Sequence, residues 1–238
     1  MGCPFKANGL YSRMRVGAVL LAAGAGSRLG GRPKALLELG GVPLVMRQLI
    51  ALSGAGVDEV AVVLGHHADE IEAAIAHLPI TLVRHPNPEL GRASSVRLGL
   101  AALSPSVDAI VVAPADMPLI GAEDIVALIA AYRKRGAARL VVPRVAEGSG
   151  TQPGNPVIFD AALREAWLAG EADLACRRWR DEHPEDVRWL ETDNRRYRVD
   201  IDTPEDLAAF EQATGHRLTW PSRHTDVAAF TSTAEATR

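Results

Sequence analysis

A glycine-rich segment with two spaced cations is the stretch of the chain that says most about chemistry. It covers residues 21–34 and reads LAAGAGSRLGGRPK. Glycines let backbone N–H groups come close to an anion, and Arg28 and Lys34 add two positive charges. An arginine can bind two phosphate oxygens at once, whereas a lysine acts as a point charge. These residue types together predict a loop that holds a triphosphate.

Two common phosphate-binding motifs come close to this segment without matching it. A Walker A loop requires Gly-Lys-Ser/Thr at its end, and here Arg32 and Pro33 follow the spacing of Gly26 to Gly31. The dinucleotide fingerprint Gly-x-Gly-x-x-Gly fails because Leu29 stands at its third glycine. If the loop is considered alone, the alternative to phosphate binding is a glycine-rich turn whose two cations are exposed to solvent.

Aspartates occur at two further places where they could bind a metal ion. Asp116 follows a short apolar run that reads as a buried strand, and ligands of open α/β sheets bind beyond the carboxyl ends of strands. Mg²⁺ takes hard oxygen ligands such as carboxylates, although an aspartate there can equally form a turn. Asp200 and Asp202 lie on the same side of a predicted extended segment. A capped helix explains the acidic residues Glu205 and Asp206 but not those two aspartates.

Polar side chains in two other segments could contact a ligand. Asn87 offers both a donor and an acceptor, which reading a nucleotide base requires. Ser94 and Ser95 fall at the predicted start of a helix, where they could contact phosphate or cap the helix. The histidines form no metal-binding pattern, and His66 and His67 read as exposed loop residues after a predicted strand.

Short apolar runs alternate with helical patterns along the chain. In the first half, strands are predicted at 16–22, 59–64, 80–83 and 109–113, and helices at 43–52, 68–77, 94–103 and 122–135. In the second half, strands are predicted at 140–143, 156–159, 187–190 and 197–201, a loop at 147–154, and helices at 161–168 and 173–181. A last helix is predicted with Thr203 as its N-cap and Pro204 at its first position. This alternation implies βαβ crossovers. We therefore expect a three-layer α/β/α domain with a mostly parallel, Rossmann-like sheet.

Length and composition fit one globular enzyme domain. The 238 residues can bury a substantial core, and we expect a single domain at 16–217, a flexible extension at 1–15 and a flexible tail at 218–238. A net charge of −3 supplies no basic face for nucleic acid. No apolar run reaches the roughly 18 residues that a membrane span needs. Two cysteines, Cys3 and Cys176, favour a cytoplasmic location without a structural disulfide.

The glycine-rich segment resembles the signature loop of the MobA-like nucleotidyltransferases. The resemblance rests on Leu-Ala-Ala-Gly at 21–24, Ser27-Arg28, Gly30 and Pro33-Lys34. Within that family the sequence is most similar to the molybdenum cofactor cytidylyltransferases, which tend to carry Ala at the place of Ala23, where guanylyltransferases tend to carry Gly. Leu29 replaces the family's usual Met, which conserves volume. The resemblance spans about residues 16–210 and implies a fold of the nucleotide-diphospho-sugar transferase type.

The resemblance also implies roles for individual residues. Asp116 matches the metal-binding Asp of the family's Asp-x-Pro segment, and Asp202 is the second predicted metal ligand, with Asp200 as the alternative. The implied acceptor-binding residues are Gly154, Asn155 and Pro156, although Asn155 stands where the family usually has His. The implied catalytic residues are Arg28, Lys34 and Asp116. The implied nucleotide-binding residues are Leu21, Ala22, Ala23, Gly24, Gly26, Ser27, Arg28, Lys34, Asn87, Ser94, Ser95 and Asp116.

The predicted activity is transfer of a nucleotidyl group. A Mg²⁺-bound NTP, with CTP favoured through Ala23, would donate its nucleoside monophosphate to a phosphorylated small molecule and release pyrophosphate. The resemblance implies the molybdopterin cofactor as acceptor and makes a molybdoenzyme or its chaperone a candidate partner. Three alternatives stay open at this point: another phosphorylated acceptor, an NADP-binding oxidoreductase, and a chaperone that binds a cofactor without changing it.

Overall fold

The first strand, β1 (Val16–Ala22), lies at the centre of the main sheet. Its apolar residues are buried on both faces, as in a parallel sheet that helices cover on both sides. The computed structural model describes residues 13–169 and 177–221 of the chain. Within these ranges the arrangement of strands and helices confirms the predicted three-layer fold.

Two short strands, β2 (Glu38–Leu39) and β3 (Val42–Pro43), follow β1 and lie outside the main sheet. In the described part of the chain, the main sheet has eight strands: β1, β4 (Glu59–Leu64), β5 (Thr81–Arg84), β6 (Ala109–Pro114), β7 (Leu140–Glu147), β8 (Gly150–Pro153), β9 (Val157–Asp160) and β10 (Val187–Thr192). Their order is β10-β7-β9-β6-β1-β4-β5, and β8 pairs with β7. The pairs β1–β4, β1–β6, β4–β5 and β7–β10 are parallel, whereas β9 runs antiparallel to β6 and β7.

Helices cover both faces of this sheet. They are α1 (Leu44–Gly54), α2 (Ala68–Ile75), α3 (Arg92–Ala102), α4 (Ala122–Arg133), α5 (Arg164–Ala169), α6 (Arg177–Glu182) and α7 (Pro204–Thr214). Side chains alternate along β1: Ala18 and Leu20 pack with α1, α2 and α4, whereas Val19 packs with α3 and α5 on the other face. No described helix combines the length and the apolar character that crossing a membrane would take.

A third apolar cluster lies under the glycine-rich loop. It joins Leu29 of that loop to Ile201, Phe210 and Leu218, and it also contains Leu37 and Leu44. Leu218 belongs to a last short strand, β11 (Leu218–Thr219), which pairs antiparallel with β2. The predicted flexible tail at 218–238 therefore begins too early, because burial of Leu218 fixes the chain at that point. The rest of that tail from residue 222, and residues 1–12 of the predicted extension, lie outside the described residues.

Two local predictions differ from the structure. The segment predicted as a strand at 197–201 forms a 3₁₀ turn at Arg195–Arg198 and then runs extended across the carboxyl ends of the strands. The segment predicted as a loop at 147–154 contains β8, because β7 continues to Glu147 and turns back in a hairpin. Of the helix predicted at 173–181, residues 177–181 belong to α6, and residues 173–176 lie outside the described residues.

Gly99 on α3 lies directly against β1, which allows a test of this packing. A Cβ atom at Gly99 would lie 2.3 Å from Val19 Cγ1 and 3.0 Å from Val63 Cγ2. Gly99→Val should therefore lower the free energy of unfolding by about 2 kcal/mol or more, since overpacking a filled core costs about 1–3 kcal/mol. Urea denaturation followed by circular dichroism measures the loss.

The matched control is Ala101→Val, which adds the same side chain at an exposed position of the same helix. Helix propensity alone predicts a loss of about 0.5 kcal/mol there. Equal losses in the two variants would contradict the close packing of α3 on β1.

Candidate active site

The glycine-rich segment forms a tight loop after the carboxyl end of β1. Gly26 adopts a left-handed conformation with φ 62°, and its carbonyl oxygen accepts hydrogen bonds from the N–H groups of Leu29 (2.8 Å) and Gly31 (3.0 Å). A Cβ atom at Gly26 would lie 1.9 Å from the carbonyl oxygen of Arg32. Only glycine fits at this position, and the resulting turn leaves Arg28 exposed above the loop.

Lys34 links two aspartates that lie far apart in the sequence. Its Nζ donates hydrogen bonds to Oδ2 of Asp116 (2.6 Å) and to Oδ1 of Asp202. Arg28 Nη2 donates to Oδ2 of Asp202 at 3.0 Å. Only 16% of the Lys34 side chain is exposed, compared with 66% of the Arg28 side chain. The structure thus brings four of the predicted site residues into direct contact.

The extended segment after residue 198 positions the second aspartate. The N–H of Ile201 donates to the carbonyl oxygen of Asp116 (3.1 Å), which ties the segment to the end of β6. The N–H of Asp202 donates to Oδ2 of Asp206 (2.9 Å), and Thr203 caps α7 by accepting from the N–H of Asp206 (3.2 Å). The predicted cap at Thr203 is confirmed, and it fixes Asp202 immediately before the helix.

Neighbouring charges shift the pKa values of this group in opposite directions. Burial lowers the pKa of Lys34, but the charges and hydrogen bonds of Asp116 and Asp202 outweigh it and raise that pKa above its ordinary value. Partial burial opposes the effect of Lys34 and Arg28 on Asp202, yet the two cations hold the pKa of Asp202 below its usual range. Burial of its carboxyl group, and then the negative charges of Asp116 and Asp202, raise the pKa of Asp200.

These carboxylates suit a divalent cation. Oxygens of Asp116 and Asp202 converge on one ammonium group, and the carboxyl group of Asp200 lies close enough for their negative charges to add to the effect of burial on its pKa. Carboxylate oxygens are the hard ligands that Mg²⁺ prefers. In the described ranges, the one group of three candidate ligand residues whose ligand atoms lie within 4.8 Å of one another is His183, Glu185 and Asp186. That group precedes β10 at the opposite edge of the sheet.

A small cavity connects the end of β1 with this charged group. Its volume is about 60 Å³, and Leu21, Ala22, Gly24, Lys34 and Asp116 contribute to its lining. Gly24 and Ser27 are exposed on the loop, whereas Ala22 is buried. Five of the predicted nucleotide-binding residues therefore lie around one opening, and their contact with a nucleotide stays a prediction.

A hydrogen-bonded chain organises the loop before α3, where a base-binding role was predicted. The N–H of Asn87 donates to Nδ1 of His85 (3.1 Å), so Nε2 carries the ring proton and donates to Ser94 Oγ (2.7 Å). The Ser94 hydroxyl donates in turn to the carbonyl oxygen of Gly91 (2.7 Å), and Ser95 Oγ reaches the same oxygen at 3.4 Å.

This chain changes the interpretation of both serines. Gly91, with φ 86°, precedes α3 and no described side chain caps the helix, so the cap predicted at Ser94 or a neighbour is wrong. Ser94 and Ser95 are buried and hold the loop, while Asn87 is exposed and its side chain is available for a ligand. The sequence did not predict the role of His85 in this chain of hydrogen bonds, because a single histidine with nearby partners forms no recognisable motif.

Two further histidines fix the glycine-rich loop. His66 Nδ1 donates to the carbonyl oxygen of Ala23 (3.1 Å), and His67 Nε2 donates to that of Ala25 (3.2 Å). Both histidines follow β4, whose parallel pairing with β1 brings the two loops together. The prediction of a plain exposed pair missed this contact, although His66 is exposed as expected.

The predicted acceptor segment lies at the wall of a larger cavity of about 620 Å³. The N–H of Asn155 donates to the carbonyl oxygen of Tyr197 (2.9 Å), and a Cβ atom at Gly154 would lie 2.6 Å from the same oxygen. Gly154 and Pro156 are buried, and Gly154 and Asn155 line the cavity together with Gly91. The acceptor segment therefore faces the start of α3 across one space.

A buried network holds the segment that carries Tyr197. Its hydroxyl donates to the carbonyl oxygen of Asp124 (2.7 Å), and Asn194 Nδ2 donates to Asp124 Oδ1 (2.7 Å). Asp124 is only 2% exposed and also accepts from the N–H of Gly121 (2.9 Å) as part of the cap of α4. Acidic residues are common near helix starts, so the sequence did not predict that Asp124 would also hold Asn194 and Tyr197.

Residues 18–187 match the family described as the MobA-like NTP transferase domain. The chain belongs to this family. The resemblance found in the glycine-rich segment is thereby confirmed at the family level. Among curated relatives of this MobA-like chain, the bifunctional enzyme IspD/IspF of Clavibacter michiganensis is 32% identical over 231 residues, which cover 86% of the chain and 53% of that enzyme. The chain spans about half the length of that relative.

Solved structures of similar proteins agree with the fold. Rv0371c from Mycobacterium tuberculosis is 26% identical, with 84% of this chain and 99% of that chain covered and a TM-score of 0.73. A nucleotidyl transferase from Methanothermobacter thermautotroptrophicus is 28% identical, with 84% and 97% covered and a TM-score of 0.66. Rv0371c has also been solved in complex with manganese, with 24% identity, 84% and 100% covered and a TM-score of 0.64.

The burial of His85 generates a prediction about pH. Burial lowers the pKa of His85 below its ordinary value of 6.5, so the folded protein favours the neutral ring. As the pH falls below about 6.5, the unfolded chain binds a proton at this residue before the folded chain does. The stability contributed by neutral His85 is therefore present above that pH and is lost as the pH falls through the pKa of the folded state.

His85→Gln should accordingly flatten the dependence of unfolding free energy on pH between about pH 7.5 and about pH 5. Urea denaturation of the variant and the wild type across this range measures the difference. His77→Gln is the control, because His77 is exposed. A pH dependence that falls equally in both variants would contradict the assignment to His85.

Proposed function

We propose that the protein transfers a nucleoside monophosphate from an NTP to a phosphorylated small molecule. The observation that carries this proposal is the contact of Lys34 with both Asp116 and Asp202 beside the glycine-rich loop. An ammonium group has three donors, and two of them bind the aspartates, so one is left to face a phosphate. Membership of the MobA-like family supports the same activity.

The proposed reaction is an in-line displacement at phosphorus. An oxygen of the acceptor phosphate attacks the α-phosphorus of the NTP, and a new O–P bond forms. The bond from the α-phosphorus to the oxygen bridging to the β-phosphate breaks, and pyrophosphate leaves with that electron pair. Arg28, Lys34 and backbone N–H groups of the glycine-rich loop other than those of Leu29 and Gly31 hold the leaving phosphates and stabilise their charge. Positioning and electrostatics suffice for such a transfer without a side-chain nucleophile.

Asp116 and Asp202 are the residues that would hold Mg²⁺, with Asp200 as the third carboxylate nearby. When bound, the ion neutralises phosphate charge and orients the triphosphate. The manganese complex of Rv0371c supports a divalent cation in a protein of similar fold. The carboxylates must be ionised to bind it, and Lys34 keeps Asp202 in that form.

An NADP-binding oxidoreductase is the weaker candidate. In dinucleotide-binding folds the glycine-rich turn leads into a helix whose N-terminus receives the pyrophosphate. Here Gly26 leads into a 3₁₀ turn of three residues, Ser27–Leu29, and Gly30 then ends it in a left-handed conformation. The loop thus lacks the long helix whose N-terminus receives the pyrophosphate in those folds.

The proposal also concerns the identity of the acceptor molecule. The resemblance implies the molybdopterin cofactor, with a molybdoenzyme or its chaperone as a partner, and Asn155 departs from the family's His in that segment. Incubation of the protein with Mg²⁺, each NTP and a panel of phosphorylated acceptors tests the proposal through pyrophosphate release. Release that requires both NTP and acceptor is the expected result. Binding of a cofactor without release would instead favour a chaperone.

The metal assignment predicts the behaviour of two variants. Asp116→Asn and Asp202→Asn should each lower turnover by roughly a thousandfold, because a charge-neutralising metal ion contributes several kcal/mol in the transition state. Steady-state pyrophosphate release measures this effect, and thermal melting confirms that the variants fold. Asp193→Asn is the control, since Asp193 is exposed outside the site. Turnover near the wild-type rate in both site variants would contradict the assignment.

The base preference rests on Ala23 and predicts CTP over GTP. The methyl group of Ala23 is buried, and a Cβ atom built on Gly65 would lie 2.8 Å from it, so the loop backbone packs closely on the end of β4. We infer that a loop backbone held in this way would leave less space for a larger purine base. One methyl group discriminates by about 1–3 kcal/mol, so the preference should be graded.

Competition between CTP and GTP with one common acceptor measures the ratio of their kcat/KM values. We expect CTP to exceed GTP in the wild type and Ala23→Gly to bring the ratio closer to one. A GTP preference of the wild-type protein would refute cytidylyl transfer while leaving nucleotidyl transfer intact.

A further inference from the structure

The cavity of about 620 Å³ has an apolar floor and a basic wall. Val96 of α3 and Val112, Val142 and Val157 of the sheet form the floor. This floor lies on the face of the sheet that α3 covers. The apolar part of a ligand would fit against this floor, because valine side chains form no hydrogen bonds and favour contact with carbon atoms.

Four arginines line the same cavity from three separate elements. Arg92 lies at the start of α3, Arg177 and Arg180 lie on α6, and Arg198 lies in the 3₁₀ turn before the Asp202 segment. The described residues that line the cavity include no aspartate or glutamate. The cavity therefore carries a net positive charge, and guanidinium groups can bind carboxylate or phosphate with two parallel hydrogen bonds.

Contacts inside the protein neutralise these arginines only in part. Arg198 Nη1 donates to the carbonyl oxygen of Pro153 (3.0 Å), which orients it without offsetting its charge. Arg180 Nε donates to Oδ1 of the exposed Asp181 (3.0 Å). Arg92 and Arg177 form no ion pair with any residue in the described ranges. An unoccupied positive charge of this kind is typical of a site for anions.

We propose that the acceptor carries a second anionic group, a carboxylate or a second phosphate, in addition to the phosphate that reacts. This inference rests on the proposed nucleotidyl transfer. The reacting phosphate must meet the α-phosphorus of an NTP held by Lys34 and Arg28, and the four arginines belong to a different cavity wall. The second anion binds the arginines while the carbon skeleton lies on the valine floor.

The test compares two probes that differ at one carbon, which is a hydroxymethyl group in one probe and a carboxylate in the other. Glycerol 3-phosphate and 3-phosphoglycerate share a three-carbon skeleton, and only the second carries a carboxylate. Calorimetric titration should show that 3-phosphoglycerate binds at least about tenfold more tightly, since hydrogen bonds between charged groups are the strong ones. Both probes are titrated without nucleotide and again with Mg²⁺ and a non-hydrolysable CTP analogue.

Two sets of variants locate the effect. Arg198→Gln, and separately the pair Arg177→Gln with Arg180→Gln, should remove most of the preference for 3-phosphoglycerate and leave binding of the CTP analogue unchanged. Arg133→Gln makes the same charge change at an exposed position of α4 and should keep the preference. Thermal melting shows whether each variant is folded, and the α6 pair provides the test if Arg198→Gln is not.

The outcomes separate the inference from the function on which it rests. Failure of the CTP analogue to bind would contradict the proposed function, while the titrations without nucleotide would still report on the arginines. Equal affinity for the two probes, or a preference that survives both sets of variants, would overturn the inference. A loss of preference in Arg133→Gln as large as in the cavity variants would overturn it as well.

Discussion

One ammonium group between two carboxylates holds the candidate active site together. Lys34 contacts Asp116 and Asp202, which stand 82 and 168 residues further along the chain. Without that cation, Asp116, Asp200 and Asp202 would place three mutually repelling negative charges close together. Burial first, and then the charges of Asp116 and Asp202, raise the pKa of Asp200. The glycine-rich loop, the end of β6 and the segment before α7 meet where Lys34 offsets this repulsion.

The sheet provides the framework for this meeting. Parallel pairing places Leu21 beside Pro114, so that the loop after β1 and Asp116 after β6 emerge at the same edge. The third segment does not belong to the sheet, and hydrogen bonds hold it instead: Tyr197 to Asp124 at one end, and Ile201 to Asp116 near the other. Substitutions in that buried network would therefore act on the site without touching a ligand.

Charge is distributed differently over the two halves of the site. On the side of the glycine-rich loop, Arg28 and Lys34 pair with the carboxylates of Asp116 and Asp202, so acidic partners offset these cations. On the other side, Arg92 and Arg177 face a cavity without acidic partners among the described residues. The same 3₁₀ turn carries Arg198 into that cavity and leads on to Asp202. The two halves are thus joined by one short stretch of backbone.

The sequence alone predicted the features that depend on local chemistry. Short apolar runs such as Val16–Ala22 are typical of buried central strands, so the three-layer fold followed from their alternation with helices. The Thr203-Pro204 start of α7 was predictable because a cap depends on neighbours a few residues away. Arg28, Lys34, Asp116 and Asp202 were identified by residue type and by resemblance to a family.

Tertiary structure decided which of these residues meet and which polar groups are used for support. Ser94 forms hydrogen bonds with His85 and Gly91 within the protein, and its local sequence does not distinguish this structural role from phosphate binding. The segment at 197–201 has the apolar alternation of a strand, yet its hydrogen bonds go to Asp124, Asn155 and Asp116, so it crosses the sheet edge without pairing. The basic cavity was invisible in the sequence because its arginines come from three elements that only folding brings together. Long-range contacts of this kind depend on how strands and helices pack against one another. Residue types and spacing within a single segment do not predict that packing.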